Sequence, residues 1–293
     1  MFEMSHVTKT FGEFKALDDL CLKIPRGTIY GLVGPNGAGK TTAIRHLTGV
    51  LRPDAGSVTM EGQRIDENLA VKERICCVAD EPFYFPSASL GEMQGFYAGL
   101  YPKFDKKRFR ELQDVFRLPQ RSPIRRFSKG MQKQAAFHLA LSTHADCLIL
   151  DEPVDGLDPV MRRQVWSLIL DDVARRGTTV LVSSHNLREL EDICDHVGIM
   201  RQGHMIVERS LADMQGGTVK LQMVGQLPDG LEVLHHTTSG RLHTYILRST
   251  IPRVQGAMER SGATYYDVLP LTLEEIFIYE LGGVANEVEG LLL

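Results

Sequence analysis

The sequence predicts an α/β fold with a mainly parallel sheet, followed by a small C-terminal α+β extension. Three observations support this prediction. Short apolar runs typical of buried strands alternate with helical stretches between residues 28 and 207. The first of these strands leads into a glycine-rich loop, and a helix follows that loop. After Gly216-Gly217, the best candidate for a linker, a second series of short strands and helices begins.

The glycine-rich loop fits the phosphate-loop pattern G-x-x-x-x-G-K-S/T at every fixed position. Glycines let the backbone curl so that its N–H groups point into one concavity, and the next helix N-terminus adds positive potential. Lys40 can reach the β and γ phosphates of a nucleotide, and the Thr41 hydroxyl can bind Mg²⁺. The alternative is a glycine-rich turn that carries a lysine by chance, but the strand before it and the helix after it disfavour that interpretation. The loop residues are Gly34, Pro35, Asn36, Gly37, Ala38, Gly39, Lys40, Thr41 and Thr42.

Composition and charge restrict the class of protein. With 43% apolar and 24% charged residues among 293, the chain resembles an ordinary globular protein with a sizeable core. Its net charge of -4 offers no general basic surface, so no nucleic-acid partner is expected. The five cysteines include no C-x-x-C pair, which indicates reduced thiols. We expect no signal peptide, because the first residues lack a basic region followed by an apolar one. We also expect no membrane-spanning segment, because no apolar run approaches about 18 residues.

The elements on both sides of the loop follow from their apolar spacing. Hairpin-like patterns at 2–25 and 56–65 predict antiparallel strands. Helical spacing prevails from residue 89 to 143, which predicts a helical insertion between strands of the main sheet. The remaining predicted strands lie at 75–79, 147–150, 178–183, 197–200, 205–207, 219–224, 231–235, 245–247 and 265–269, and further helices at 160–176 and 252–261. A final helix is predicted after the capping-box sequence Thr272–Glu275.

Two carboxylates end the strand-like run at 147–150. Parallel strands place such residues at the carboxyl edge of the sheet, beside the phosphate loop. Asp151 suits the shell of a Mg²⁺ ion, and Glu152 suits activation of water because its carboxylate can accept a proton. The alternative is a pair of acids that cap a strand before a turn. His185 follows another strand at the same edge, where its imidazole could contact the γ phosphate. The alternative is an ordinary histidine after a strand, without a special role.

The segment from Phe127 to Gln134 opens a helix. Ser128 is a natural N-cap, and apolar residues then recur at helical spacing. This pattern describes either a simple capped helix or a second anion-binding helix N-terminus.

Together these motifs resemble the ATP-binding cassette (ABC) family of transport ATPases over about residues 2–215. The resemblance implies a phosphate-loop NTPase with a RecA-like core, an antiparallel β subdomain and a helical subdomain at about 83–144. Residues 1–215 would form the nucleotide-binding domain and residues 216–293 a small accessory α+β domain. ATP and Mg²⁺ are the implied cofactors, and MgATP hydrolysis coupled to transport is the implied reaction.

The resemblance also implies roles for single residues. Phe11 occupies the place of the aromatic residue that stacks on adenine, although a core aromatic in a hairpin is an alternative. Ser128 and Gly130 correspond to the signature sequence, Asp158 to the D-loop and His185 to the switch histidine. The implied catalytic residues are Glu152, His185 and Lys40, and the implied metal-site residues are Thr41, Asp80 and Asp151. Asp80, Ser128, Gly130 and Asp158 join Phe11 and the loop residues in nucleotide binding.

Two positions depart from the family pattern. Asp80 stands where the family has the Q-loop glutamine, and its shorter, anionic side chain would alter coupling or the rate of hydrolysis. The signature is degenerate as well, with Phe127, Lys129 and Met131 replacing family residues.

The resemblance implies partners. Two cassettes, identical or different, would pair head to tail, so that Ser128 and Gly130 act on the nucleotide of the partner. Separate transmembrane permease subunits would contact the region from Phe83 to Tyr101, which would place the chain in the cytoplasm on the inner face of the cell membrane. A bacterial exporter is the leading interpretation. Alternatives are a soluble ABC ATPase acting on ribosomes or DNA, and a weakly hydrolysing regulatory cassette, which Asp80 and Lys129 suggest.

Overall fold

The structure is a computed structural model that describes residues 1–215, 217–261, 263 and 265–280. Gly216 of the predicted linker and residues 281–293 of the predicted accessory domain lie outside the described residues. The strands, numbered in chain order, are β1 (Phe2–Phe11), β2 (Phe14–Ile24), β3 (Ile29–Val33), β4 (Ala55–Met60), β5 (Gln63–Arg64), β6 (Ile75–Val78), β7 (Cys147–Asp151), β8 (Thr179–Ser184), β9 (His196–Arg201), β10 (His204–Ser210), β11 (Thr218–Val224), β12 (Val233–Ser239), β13 (Leu242–Arg248) and β14 (Tyr265–Pro270). The helices are α1 (Lys40–Leu47), α2 (Leu69–Lys72), α3 (Leu90–Leu100), α4 (Lys106–Phe116), α5 (Lys129–Ser142), α6 (Pro159–Arg176), α7 (Arg188–Glu191), α8 (Leu211–Gln215), α9 (Ile251–Ser261) and α10 (Leu273–Glu280), with a short 3-10 helix at Ile124–Arg126.

A six-stranded sheet in the order β10-β9-β3-β8-β7-β6 carries the phosphate loop. The pairs β9/β3, β3/β8, β8/β7 and β7/β6 are parallel. Every residue of β3, β7 and β8 is buried, as expected for apolar strands covered on both faces. The predicted α/β fold class is therefore confirmed. The carboxyl ends of these three strands bring the phosphate loop, Asp151 and His185 to the same edge.

A second, four-stranded sheet has the order β2-β1-β4-β5 and is antiparallel, as the hairpin patterns predicted. Gly12, with φ of 61°, turns the chain between β1 and β2, and a glycine adopts this left-handed conformation without a steric cost. Alternating side chains of β1 and β2 enter one apolar core together with side chains of β3 and α1. This core fixes the base of the phosphate-loop helix. It includes Met4, Leu17, Leu20, Leu22, Leu32, Ile44 and Leu47.

The predicted helical insertion lies between β6 and β7 in the chain and contains α3, α4 and α5. Ser89 and Glu92 form a capping box at the start of α3, and Asp105 caps α4. His138 of α5 is fully buried, and its ring stacks on Phe109 at a centroid distance of 4.2 Å. The insertion is therefore held by its own apolar contacts and helix caps.

The described residues divide into two units. The first contains Met1–His185 and His196–Glu208, and the second contains Asn186–Asp195 and the residues from Arg209 onward. The predicted domain boundary after residue 215 stays a prediction. Among the described residues, no helix is both long and apolar enough to cross a membrane.

The second unit contains a four-stranded sheet in the order β12-β13-β11-β14. Its core includes Val219, Leu221, Met223, Leu247, Val254 and Met258. The predicted capping box is present, because Glu275 N–H donates to the Thr272 hydroxyl and Thr272 N–H donates to the Glu275 carboxylate. Strand β12 lies further along the chain than the predicted 231–235. It is an exposed edge strand without a buried alternate face, so apolar spacing did not reveal its bounds.

The segment that follows His185 belongs to this second unit. The Arg188 guanidinium donates two hydrogen bonds of 3.0 and 2.8 Å to one carboxylate oxygen of Glu274, with a third of 3.0 Å to the other. Leu273 N–H donates to the Glu191 carboxylate at 3.1 Å. Polar contacts therefore connect α10 with the first and last residues of α7.

Candidate functional site

The phosphate loop surrounds a cavity of about 280 Å³ at the N-terminus of α1. Gly39 has φ of 105°, and a Cβ atom there would lie 2.7 Å from the Ala16 carbonyl oxygen, so only glycine fits. Gly37 also adopts a positive φ, of 82°. Lys40 is buried, and its Nζ donates to the Gly34 carbonyl at 2.6 Å. The cavity is lined by Phe14, Ala16, Pro35, Asn36, Gly37, Ala38, Gly39, Lys40, Thr41, Thr42, Asp80, Asp151 and Glu152.

Thr41 and Asp151 meet on one side of this cavity. The Thr41 hydroxyl donates to one carboxylate oxygen of Asp151 at 3.0 Å, and the Ser183 hydroxyl donates to the other. Asp151 is 4% exposed, so both hydrogen bonds fix its orientation. A hydroxyl and a carboxylate are hard oxygen donors of the kind that Mg²⁺ prefers, so this pair fits that ion.

Glu152 lies between the lysine and the histidine that the sequence indicated. Its Oε1 is 3.4 Å from Lys40 Nζ, and its Oε2 is 2.9 Å from His185 Nδ1. The Glu152 side chain is 14% exposed, whereas His185 is half-exposed. A ligand atom of Asp155 lies within 4.8 Å of those of Glu152 and His185. The carboxylate of Glu152 therefore faces Lys40 on one side and the imidazole of His185 on the other.

Asp80 lines the cavity but has a partner that the sequence did not suggest. Its Oδ1 lies 3.3 Å from Nζ of Lys133 on α5. Lys133 also donates to the main-chain oxygen of Glu152 at 2.6 Å. The predicted place of Asp80 in a metal shell stays a prediction.

Two phenylalanines flank the turn between β1 and β2. Phe11 and Phe14 are cross-strand partners in the hairpin. Phe14 is 63% exposed and lines the phosphate-loop cavity, whereas Phe11 is absent from the cavity lining. Instead, Nζ of Lys9 lies 5.7 Å from the centre of the Phe11 ring. Sequence reasoning passed over Phe14, although its position two residues beyond Gly12 is a signal that could have revealed it.

The remaining predicted residues lie outside this cavity. Ser128 caps α5 by accepting from Met131 N–H at 3.3 Å, which confirms the predicted N-cap. A Cβ atom at Gly130 would lie 2.9 Å from the Gly156 carbonyl oxygen, so the two segments pass closely. Asp158 caps α6. Lys129 and Gly156, next to Ser128 and Gly130, line a separate cavity of about 480 Å³.

An aromatic cleft of about 340 Å³ lies in the segment after β6 and on α3. Phe83 packs edge-on against Phe85 at 5.8 Å, and Phe85 packs edge-on against Phe96 at 5.2 Å. Phe83 is 71% exposed, and Phe85 and Phe96 are each 44% exposed. The intervening Tyr84 is buried, and its hydroxyl donates to the Gln132 carbonyl of α5. The segment 83–85 thus anchors itself through Tyr84 and presents two phenylalanines.

Two cysteines lie on β6, next to the aromatic cleft. Burial raises the pKa of the Cys76 thiol to about 11 and that of Cys77 to about 12. Both side chains therefore remain protonated near neutral pH and are poor nucleophiles. All five cysteines are free, in accord with the predicted reduced thiols.

Comparisons with known proteins agree with this geometry. The sequence pattern described as ABC transporter matches residues 17–155. The daunorubicin resistance ATP-binding protein DrrA3 of Streptomyces coeruleorubidus is 33% identical over 298 residues, covering 94% of this chain and 93% of that relative. The chain belongs to the ABC transporter family.

Two further matches support this membership of the ABC transporter family. The Nod factor export ATP-binding protein I of Cupriavidus pinatubonensis is 30% identical over 293 residues, covering 95% of this chain and 90% of that relative. A solved ATP-binding subunit of an ABC transporter has a TM-score of 0.68 and 26% identity, over 73% of this chain and 92% of that one. The predictions of an ABC cassette and of an ATP-hydrolysing transport protein are confirmed.

Proposed function

We propose that this ABC ATPase drives export through separate membrane subunits and that Glu152 activates the attacking water. The observation that carries the proposal is the placement of the Glu152 carboxylate between Lys40 and His185, at 3.4 and 2.9 Å. A carboxylate beside a phosphate-binding lysine can accept the proton of a water that attacks the γ phosphate. Phosphoryl transfer otherwise depends mainly on positioning and on neutralising charge.

The other residues supply those requirements. The backbone N–H groups of the loop and the N-terminus of α1 bind the phosphates. Lys40, which here donates to its own loop, exchanges the Gly34 carbonyl for phosphate oxygens. Thr41 and Asp151 would hold Mg²⁺, which would supply positive charge to neutralise the phosphates. His185 orients the Glu152 carboxylate and would donate to the γ phosphate.

A second cassette would complete this nucleotide site. Ser128 and Gly130 do not line the phosphate-loop cavity of their own chain. They lie at the N-terminus of α5, where backbone N–H groups and the helix dipole favour an anion. A head-to-tail partner would place this helix end on the γ phosphate. Nucleotide would then favour the dimer because it adds contacts that exist only in the closed state.

The membrane subunits are proposed to dock on the aromatic cleft. Exposed phenylalanines that share one cleft mark an interaction surface, because apolar area in water is costly. The chain would then lie at the inner face of the membrane. The export direction rests on the relatives, one of which carries Nod factor export in its name.

The test is substitution of the proposed base, Glu152→Gln, compared with Glu111→Gln on the exposed face of α4 as the matched control. E152Q should release phosphate from MgATP about 10²- to 10⁴-fold more slowly, because the amide cannot accept the proton. Its affinity for ATP should stay within a few-fold of wild type, and E111Q should match wild type in both measurements. Wild-type turnover in E152Q would contradict the assignment.

A further inference from the structure

Lys133, a lysine on α5, connects two residues of the phosphate-loop cavity. Lys133 is 4% exposed. Its Nζ donates to the main-chain oxygen of Glu152 at 2.6 Å and pairs with Asp80 Oδ1 at 3.3 Å. The three residues come from different elements, namely α5, the segment after β7 and the segment after β6. One ammonium group therefore joins α5 to two acidic segments that line the phosphate-loop cavity.

The backbone of Glu152 needs support, because its φ of 45° lies in the left-handed region. A non-glycine residue there is held against an unfavourable local conformation by its surroundings. Its N–H donates to the Ser183 hydroxyl at 3.1 Å, and its C=O accepts from Lys133. With both peptide groups held, the carboxylate is directed at Lys40 and His185. Loss of the Lys133 contact would release the Glu152 carbonyl and leave only its N–H group held.

The charge of Lys133 also requires a partner. A buried ammonium is stable only when it is paired and hydrogen-bonded. The carbonyl of Glu152 is neutral, and Asp80 supplies the negative charge. In turn, Lys133 neutralises a carboxylate that lines the cavity where phosphates bind. Without this neutralisation, Asp80 would repel the nucleotide.

We propose that Lys133 is a positioning residue with two effects: it fixes the backbone of Glu152, and it neutralises Asp80 beside the phosphates. The first effect rests on the proposed role of Glu152 in hydrolysis, whereas the second does not. Asp80, which replaces the family glutamine, is thereby tied to α5 by an ion pair. The connection between the phosphate-loop cavity and α5 then depends on the opposite charges of Asp80 and Lys133.

The first experiment separates the two contacts of Lys133. Lys133→Met removes both, while Lys133→Gln keeps a donor for the Glu152 carbonyl without the charge. Lys72→Met is the matched control, because Lys72 also donates to a main-chain carbonyl, that of Gly49, at 2.9 Å. K133M should lower kcat roughly 10- to 100-fold, as for other residues that orient a catalytic group. Both K133M and K133Q should raise KM for MgATP to a similar extent, because both variants remove the positive charge beside Asp80. K133Q should keep kcat within about fivefold of wild type, and K72M should match wild type.

The second experiment needs no hydrolysis. Binding of a fluorescent ATP analogue is measured in EDTA for wild type, K133Q, D80N and the double variant K133Q/D80N. K133Q should bind roughly tenfold more weakly, because Asp80 then faces the phosphates without its partner. The double variant should return to within about twofold of wild type, which a general loss of structure would not produce. This comparison of the four proteins does not include K133M, so it still tests the proposal if K133M does not fold.

Two results would overturn the inference. One is wild-type kcat in folded K133M, and the other is equal metal-free affinity in K133Q and in K133Q/D80N. These failures differ from failure of the proposed function. Wild-type hydrolysis by E152Q contradicts the role of Glu152, whereas normal K133M together with impaired E152Q contradicts only the role of Lys133.

Discussion

The phosphate-loop cavity and the aromatic cleft belong to the same unit but are built in opposite ways. In the cavity, functional groups have partners within the chain: Lys40 donates to Gly34, and the Thr41 hydroxyl donates to Asp151. In the cleft, Phe83 and Phe85 pack on each other and leave much of their surface in water. A single chain thus supplies preorganised polar groups for the chemistry. The cleft gains its apolar contacts only when another molecule covers it.

Among the predictions that test this comparison, the largest expected effect is weaker association of the membrane subunits with the cleft. Phe83→Asp places a charge on the proposed docking surface, where the membrane subunits would bury it. We expect association with those subunits to weaken roughly a hundredfold, because buried aromatic residues dominate such interfaces. Co-purification of the chain with its membrane partner from detergent measures this effect.

The control for this prediction is Val50→Asp, since Val50 is 71% exposed and lies outside the cleft. Both variants should melt within a few degrees of wild type, because the replaced side chains are exposed. Equal recovery of the membrane partner by F83D and V50D would show that the cleft is not the docking surface.

A second prediction tests whether the helical insertion that carries the cleft responds to acid through His138. Burial lowers the pKa of His138 to about 4 from its ordinary 6.5. Between these values the unfolded chain binds a proton that the folded chain excludes, so stability falls as pH decreases. From pH 7 to pH 5 the wild type should lose about 2 kcal/mol more unfolding free energy than His138→Gln.

Urea unfolding of both proteins at each pH provides the measurement. Parallel pH dependence of wild type and H138Q would mean that His138 does not titrate in this window.

The smallest effect concerns the wall of the phosphate-loop cavity. Phe14→Ala should weaken ATP binding roughly tenfold, because stacking of a base on an aromatic ring contributes about 1–3 kcal/mol. Phe11→Ala is the matched variant, and it should change the affinity less than threefold because Phe11 does not line the cavity. Equilibrium titration with a fluorescent nucleotide distinguishes the two. A larger loss in F11A than in F14A would restore the original sequence-based assignment.

Much of the phosphate-loop cavity could be predicted from sequence because its rules are local. The loop pattern specifies the turn, and the carboxyl edge of a parallel sheet brings Asp151 near Thr41, where the structure has them 3.0 Å apart. The N-cap of Ser128 and the capping box at Thr272 likewise depend on residues three positions apart. Apolar spacing also located the helical insertion.

Other features depend on packing between distant segments, which spacing does not encode. Nothing in the sequence pairs Asp80, which follows β6, with Lys133 of α5, which lies 53 positions further along the chain. The hairpin pattern could not decide which of two phenylalanines lines the cavity. Nor does any linker signal separate His185 from Asn186, although the segment after the histidine joins the second unit. That membership arises from the contacts of Arg188 and Glu191 with α10.

The hydrogen bond from Tyr84 to the Gln132 carbonyl gives a short connection between the aromatic cleft and Glu152, the proposed base. Tyr84 is the covalent neighbour of both exposed phenylalanines of the segment, and Gln132 is the covalent neighbour of Lys133. Two hydrogen bonds, two peptide units and the side chains of Tyr84 and Lys133 therefore connect the outer aromatic surface with the Glu152 carbonyl. Pressure on Phe83 or Phe85 need not travel through the whole helical insertion. A displacement of a fraction of an ångström there has a short mechanical path to Glu152, the proposed base.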